Sequence, residues 1–150
     1  MTSACQLVSI EPLPLAVVEA ELDRRDIASH IRPMFDVAYA WLKNAPVQQV
    51  GHNYALYDSG AGRDLVVRVG FPVSGPFLDS PSVKCVPLVA GRAARAVHVG
   101  PYSDLHRTYA ELHAWCRRQG LRIGSQSWEV YGDWQADPSR LETELYLRLG

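Results

Sequence analysis

The sequence predicts an α+β domain made of two pseudo-symmetric strand–helix–strand–strand modules that share one antiparallel sheet, with two helices on one face flanking a cleft. Three observations carry this expectation. The chain has 150 residues, the size of one ordinary domain. Two stretches place apolar residues at the three-and-four spacing of a helix face, and each is followed by two extended segments. Each helix also contains Ala-Trp, at Ala40-Trp41 and Ala114-Trp115, and 16 residues separate each tryptophan from a strand tyrosine, Trp41 from Tyr57 and Trp115 from Tyr131. Two copies of one unit joined about a pseudo-twofold axis leave a cleft at the module boundary, where small ligands are preferentially held.

The first module spans about residues 5–73. Cys5 to Ile10 reads as a short strand, broken by Glu11-Pro12-Leu13-Pro14 because each proline lacks a ladder donor. Leu15 to Leu22 reads as a second extended piece. Ile27, Ile31, Met34, Phe35, Ala38, Trp41 and Leu42 then form one apolar helical face. Pro33 interrupts it, so either the main helix starts near Pro33 or a short turn at Asp26–Ile31 leads into it. Asn44, Ala45 and Pro46 end the helix. Val50–Tyr57 and Leu65–Val73 read as strands joined by the hairpin loop Asp58-Ser59-Gly60-Ala61-Gly62-Arg63. A linker is expected at about 74–82, where prolines, a glycine and serines cluster.

The second module spans about residues 84–149. Lys84–Val89 and Arg92–Val99 read as strands around Ala90-Gly91, and Gly100-Pro101-Tyr102 as a turn. Ser103 stands where a helix N-cap belongs, with Asp104 favouring the dipole. Leu105, Tyr109, Leu112 and Cys116 make the apolar stripe, and Gly120 the C-terminal stop. Ser127–Trp134 and Leu141–Leu149 close the module as a hairpin around residues 135–140.

Composition narrows the function. Hydrophobic residues make up 47% and charged residues 21%, as in a soluble globular protein and unlike a disordered one. Fifteen basic residues nearly balance 16 acidic ones, which leaves no electrostatic footprint for direct nucleic-acid binding. Cys5, Cys85 and Cys116 form no disulfide framework, and no apolar run approaches the length of a bilayer span. With no basic start followed by an apolar core, a cytoplasmic location and no membrane association are expected. His106 and His113 sit seven residues apart, about 10 Å along a helix. They cannot share an ion, and neither a metal nor a cofactor is expected. The chain has no G-x-S-x-G elbow and no phosphate-binding loop.

The ordered set Ala90-Gly91-Arg92-Ala93-Ala94-Arg95-Ala96-Val97-His98-Val99-Gly100-Pro101-Tyr102, then Tyr109, Leu112 and Trp115, then Trp128-Glu129-Val130-Tyr131, Asp137-Pro138 and Glu144-Leu145-Tyr146-Leu147, resembles the GyrI-like small-molecule-binding family. That family includes effector domains of AraC-type and multidrug-responsive transcription activators and DNA gyrase inhibitor proteins. The resemblance is strong over about residues 84–149 and rests on pattern alone in the first half. It implies a cleft between the two helices with an acidic residue on the last strand at its floor, matching Glu144. It further implies lipophilic cations as ligands or, in single-domain relatives, hydrolysis of strained cyclopropanes in DNA-alkylating natural products. Leu147-Arg148-Leu149 stands where relatives often carry an Ile-Pro-Leu-like triplet. No DNA-binding module is legible, so a standalone member is expected.

The candidate ligand-binding residues are Glu144, Tyr131, Tyr39, Trp115, Tyr54, Trp128 and Tyr146. Glu144 lies among Leu141, Leu145, Tyr146 and Leu147, and reads either as an anion or base in an apolar site or as a solvent-facing strand residue. Folding about the 135–140 loop brings Tyr131 opposite Glu144 to within two residues, as an orienting hydrogen bond or as plain packing. The aromatics, with Trp41 and Tyr109, are walls of an aromatic cleft for a cation or ordinary core, Tyr39 and Trp115 being the first two expected to line it. The expected function is binding of an apolar, cationic organic molecule for drug or toxin sensing or sequestration. One alternative is a hydrolase with Glu144 as general base and Tyr131 orienting water. Another is a protein-interaction module, such as a gyrase modulator. A homodimer through an exposed sheet edge, or another protein partner, stays open.

Overall fold

The computed structural model describes residues 4–59, 62 and 64–150, so Gly60, Ala61 and Arg63 of the expected hairpin loop lie outside the described residues. The fold is α+β, with two helices and eight antiparallel strands among the described residues. The chain divides into two compact units, residues 11–89 and residues 1–10 with 90–150.

In the unit of residues 11–89, β2 (Leu13–Asp23), α1 (Ile27–Leu42), β3 (Tyr54–Ser59), β4 (Asp64–Pro72) and β5 (Lys84–Leu88) follow one another. Its strands lie in the order β3-β4-β2-β5. Helix α1 packs on the sheet through Ala38, which meets a buried cluster of Ala16, Phe71, Val73 and Val83. The helix runs unbroken through Pro33, which is solvent-exposed, and a separate 3-10 turn at Arg24–Asp26 leads into it. The stretch expected as a linker instead belongs to this unit. The Phe77 ring lies tilted with its centroid 4.7 Å from that of Trp41, Asp79 accepts the backbone N–H of Cys85 at 2.8 Å, and Val83, just past the stretch, is fully buried.

In the other unit, β1 (Gln6–Ile10) joins β6 (Gly91–Val99), α2 (Leu105–Arg118), β7 (Ile123–Tyr131) and β8 (Glu142–Leu149), in the order β1-β6-β8-β7. The two units therefore have the same strand order, an edge strand followed by the first, last and middle strands of the strand–helix–strand–strand unit. The edge strands are not where contiguous modules would put them. β1 pairs with β6, and β5 pairs with β2.

Helix α2 buries Leu112 and Cys116 against Ala94, Ala96, Leu145 and Leu147. Ser103 does not cap it but lies within a 3-10 turn at Tyr102–Asp104. At the other end Gly120 takes φ +68°, and the N–H of Leu121 reaches the carbonyl of Cys116 at 2.9 Å, the paired C-terminal motif that glycine permits. His98 pins the start of α2 to β6. Its Nδ1 lies 2.7 Å from the Thr108 hydroxyl, and its Nε2–H donates to the Pro101 carbonyl at 3.0 Å.

Gly70 sits where β2 and β4 approach most closely: a Cβ there would lie 1.7 Å from the Ala16 carbonyl oxygen. Gly70→Ala is expected to lower the unfolding free energy by about 3 kcal/mol or more, the upper range for single substitutions. Gly75→Ala, with no atom within 4 Å of its added Cβ, is expected to change it by under about 0.5 kcal/mol. Urea denaturation of both variants checks this. An unchanged midpoint for Gly70→Ala would show that the two strands part freely at that point.

Candidate functional site

The register of β7 with β8 decides which side chains meet. Glu129 stands opposite Leu145, Tyr131 opposite Thr143, and Trp128 opposite Tyr146. Successive side chains of a strand point to opposite faces. Leu145 and Leu147 face α2, so Glu129, Tyr131 and Thr143 share the α2 face, while Trp128, Glu144 and Tyr146 occupy the other.

On the α2 face, Glu129 is 6% exposed. The Tyr109 hydroxyl, from α2, donates to its Oε2 at 2.7 Å, and the Tyr131 hydroxyl donates to its Oε1 at 2.5 Å. A carboxylate drawn out of water is tolerated when such charge-assisted bonds replace hydration. The ring of Tyr102 meets that of Tyr131 edge-on, with centroids 5.6 Å apart. Burial, and then the charge of Glu129, push the Tyr102 hydroxyl above the usual phenol range. The His98–Thr108 bond sets the helix rotation that delivers Tyr109, the next residue, to Glu129.

On the opposite face, Glu144 is neutralised by its own sheet. Arg95 approaches its Oε1 at 3.3 Å, and the Tyr146 hydroxyl donates to the same oxygen at 2.5 Å. Arg95 Nε also donates to the Tyr146 hydroxyl at 3.2 Å. Tyr146 stacks on Trp128 with centroids 5.1 Å apart, and Arg148 lies over Trp128 at 5.0 Å. The hydroxyl of Tyr146 is pushed up to about 12, first by burial and then by donating to Glu144.

The sequence-predicted residues thus separate. Trp128, Glu144 and Tyr146 come together, with Arg95, on the face away from α2. Tyr131 does not meet Glu144: the two differ by one register step, which reverses the face, and Tyr131 serves Glu129 instead. Trp115 is half-buried against the core between α2 and its sheet. Tyr39 belongs to the other unit, where its hydroxyl donates to Asn53 at 2.5 Å and its ring lies 5.1 Å from Phe71. Tyr54 opens β3 opposite Gly70. Glu129 and Tyr102 are the residues that sequence reasoning missed. The signal for Glu129 lies in the two tetrads Tyr54-Ala55-Leu56-Tyr57 and Trp128-Glu129-Val130-Tyr131. Both precede their last strands at the same distance from the helical tryptophan, and an acid replaces Ala55, which is fully buried.

Among the described residues no three His, Cys, Asp or Glu side chains are grouped to hold a metal ion, and no helix is long and apolar enough to cross a membrane.

A family profile for the GyrI-like small molecule binding domain matches residues 3–149. The chain belongs to the GyrI-like family. Solved structures agree on the fold of this GyrI-like domain. EcmrR, in a complex with DNA, is similar with a TM-score of 0.85 at 18% identity, over 97% of this chain and 57% of that one. The SAV2435 protein bound to tetraphenylphosphonium is similar with a TM-score of 0.73 at 14% identity, over 99% and 94% of the two chains. A hydrolase from Listeria innocua is similar with a TM-score of 0.65 at 16% identity, over 97% and 91%. No curated protein matches by sequence.

The raised ionisation of Tyr146 has a measurable sign. Its neutral form is favoured in the fold, so its contribution to stability is fully present below pH of about 10, the ordinary tyrosine value, and is lost as pH rises through its folded value of about 12. Phenolate absorbance should show a late step at about pH 12, and that step should be missing in Tyr146→Phe. A wild-type titration in which every tyrosine ionises at the ordinary value would mean that the Glu144–Tyr146 bond does not persist.

Proposed function

We propose that this GyrI-like domain binds an apolar organic cation, for sensing or sequestration, at the Glu129 site. The observation that carries this reading is a buried carboxylate whose two oxygens are each held by a tyrosine hydroxyl, with a third tyrosine ring alongside. A lipophilic cation is a fitting partner for such a group. It loses little hydration on entering an apolar site, it meets a full negative charge there, and aromatic faces add about 0.5–2 kcal/mol each. Inorganic cations and hydrophilic amines are disfavoured, because they would have to shed tightly held water. The similarity to a protein bound to tetraphenylphosphonium is in keeping with this choice of ligand.

The expected role of Glu144 passes to Glu129. Glu144 already has Arg95 as its counter-ion, so a cationic ligand there would compete with a guanidinium fixed in the same sheet. The same contact disfavours Glu144 as a general base, since Arg95 and Tyr146 both engage its Oε1.

Tetraphenylphosphonium and an uncharged isostere, titrated against tryptophan fluorescence at fixed salt, test the proposal. Wild type is expected to bind the cation saturably and in preference to the isostere. Glu129→Gln should weaken the cation at least about tenfold, equivalent to 1.4 kcal/mol, and Glu144→Gln by less than about twofold. Equal binding of cation and isostere, or a Glu129→Gln variant that binds as wild type does, would refute it.

A further inference from the structure

Thr143 is fully buried, and its hydroxyl has no hydrogen-bond partner, the one such buried side-chain atom among the described residues. A buried hydroxyl is ordinarily paired, because it has left water without replacement. Its cross-strand neighbours do not serve it. Thr143 stands opposite Tyr131 on one side and His98 on the other. The Tyr131 hydroxyl is given to Glu129, and both His98 nitrogens are taken, by Thr108 and by Pro101. Thr143 and Glu129 are diagonal neighbours on one sheet face, a spacing of about 7–8 Å with the Cβ atoms somewhat closer.

We infer that the Thr143 hydroxyl is the neutral hydrogen-bonding anchor of the Glu129 site, and that the site takes a cation that also carries a hydroxyl or carbonyl oxygen. This rests on the ligand reading given above and extends it to the ligand's second functional group. Tyr131 couples the two anchors. It donates to Glu129 and faces Thr143 across the strand pair, so a ligand whose cationic end displaces the Tyr131 hydroxyl also uncovers Thr143. A threonine hydroxyl both donates and accepts, so it serves an ether, a ketone or an alcohol equally.

Two quaternary ammonium probes of equal length, one ending in a hydroxyl and the other in a methyl group, provide the test. They are titrated against wild type, Thr143→Val, Thr143→Ser and Glu129→Gln, with thermal unfolding of each variant alongside. The hydroxyl probe is expected to lose about five- to tenfold in affinity on Thr143→Val, the size of one net hydrogen bond. The methyl probe should be unchanged, and Thr143→Ser should keep the preference. Glu129→Gln should weaken both probes together. If Thr143→Val leaves the ratio of the two affinities as in wild type while Glu129→Gln still weakens both, Thr143 is a core residue and the cation reading stands alone; a raised melting temperature in Thr143→Val would accompany that result. If Thr143→Val removes the preference but Glu129→Gln changes nothing, the anchor stands and the cation reading falls. If wild type binds neither probe, both are overturned.

Discussion

The pairing register of β7 with β8 is the constraint on which the site depends. With Tyr131 opposite Thr143, the strand residues Glu129, Tyr131, Thr143, Leu145 and Leu147 face α2, while Trp128, Val130, Glu144 and Tyr146 face away. The register is well specified, because Leu145 and Leu147 on one side meet Leu112 and Cys116, and a slip by one residue would turn both leucines out of the core. The burial that fixes the leucines also commits Glu129 to the same interior. Its desolvation follows from the packing of its neighbours, and the phenols of Tyr109 and Tyr131 make that burial tolerable.

The opposite face obeys a different logic. Arg95, Glu144, Tyr146, Trp128 and Arg148 form a ladder across β6, β8 and β7 in which charge and ring alternate. A half-exposed ion pair contributes little by itself. The ladder's larger effect is to cover Trp128, which is 1% exposed although it points away from the helix. Two carboxylates one strand apart therefore have opposite characters. Glu144 is paired with Arg95 within a charged network, while Glu129 accepts from the hydroxyls of Tyr109 and Tyr131.

Most of the secondary structure was legible in the sequence. The helical faces around Met34 and Leu112, the C-terminal stop at Gly120 and the strands all follow from apolar periodicity and turn residues, with boundaries moved by a few positions. What local pattern could not supply is pairing. Nothing near Cys5–Ile10 says that this strand finds β6, because partner choice depends on a sheet edge formed by residues far along the chain. The site was only half legible for the same reason. Tyr131, Trp128 and Tyr146 were identifiable as site-type residues, but the loop at 132–141 sets their faces, and an uncertainty of one residue there exchanges Glu144 for Glu129. The linker expectation failed because Pro, Gly and Ser report a lack of regular structure and say nothing about whether Phe77 and Val83 pack.

The pairing of β1 with β6 also bears on how the chain reaches this state. Gln6 lies opposite Arg95, so the strand made first on the ribosome has its partner 89 residues behind it. Residues 11–89 contain every strand of their own unit and can condense as soon as they have emerged. β1 must wait, with an edge of free backbone donors and acceptors, until β6 follows. Closing that loop spans more of the chain than the β2–β5, β2–β4 or β6–β8 pairings do, and it draws the earliest-made segment into the later-made unit. Whatever is fused ahead of β1 therefore remains tethered to unfolded chain for longer than anything fused behind β8, an asymmetry between the two ends set by strand order alone.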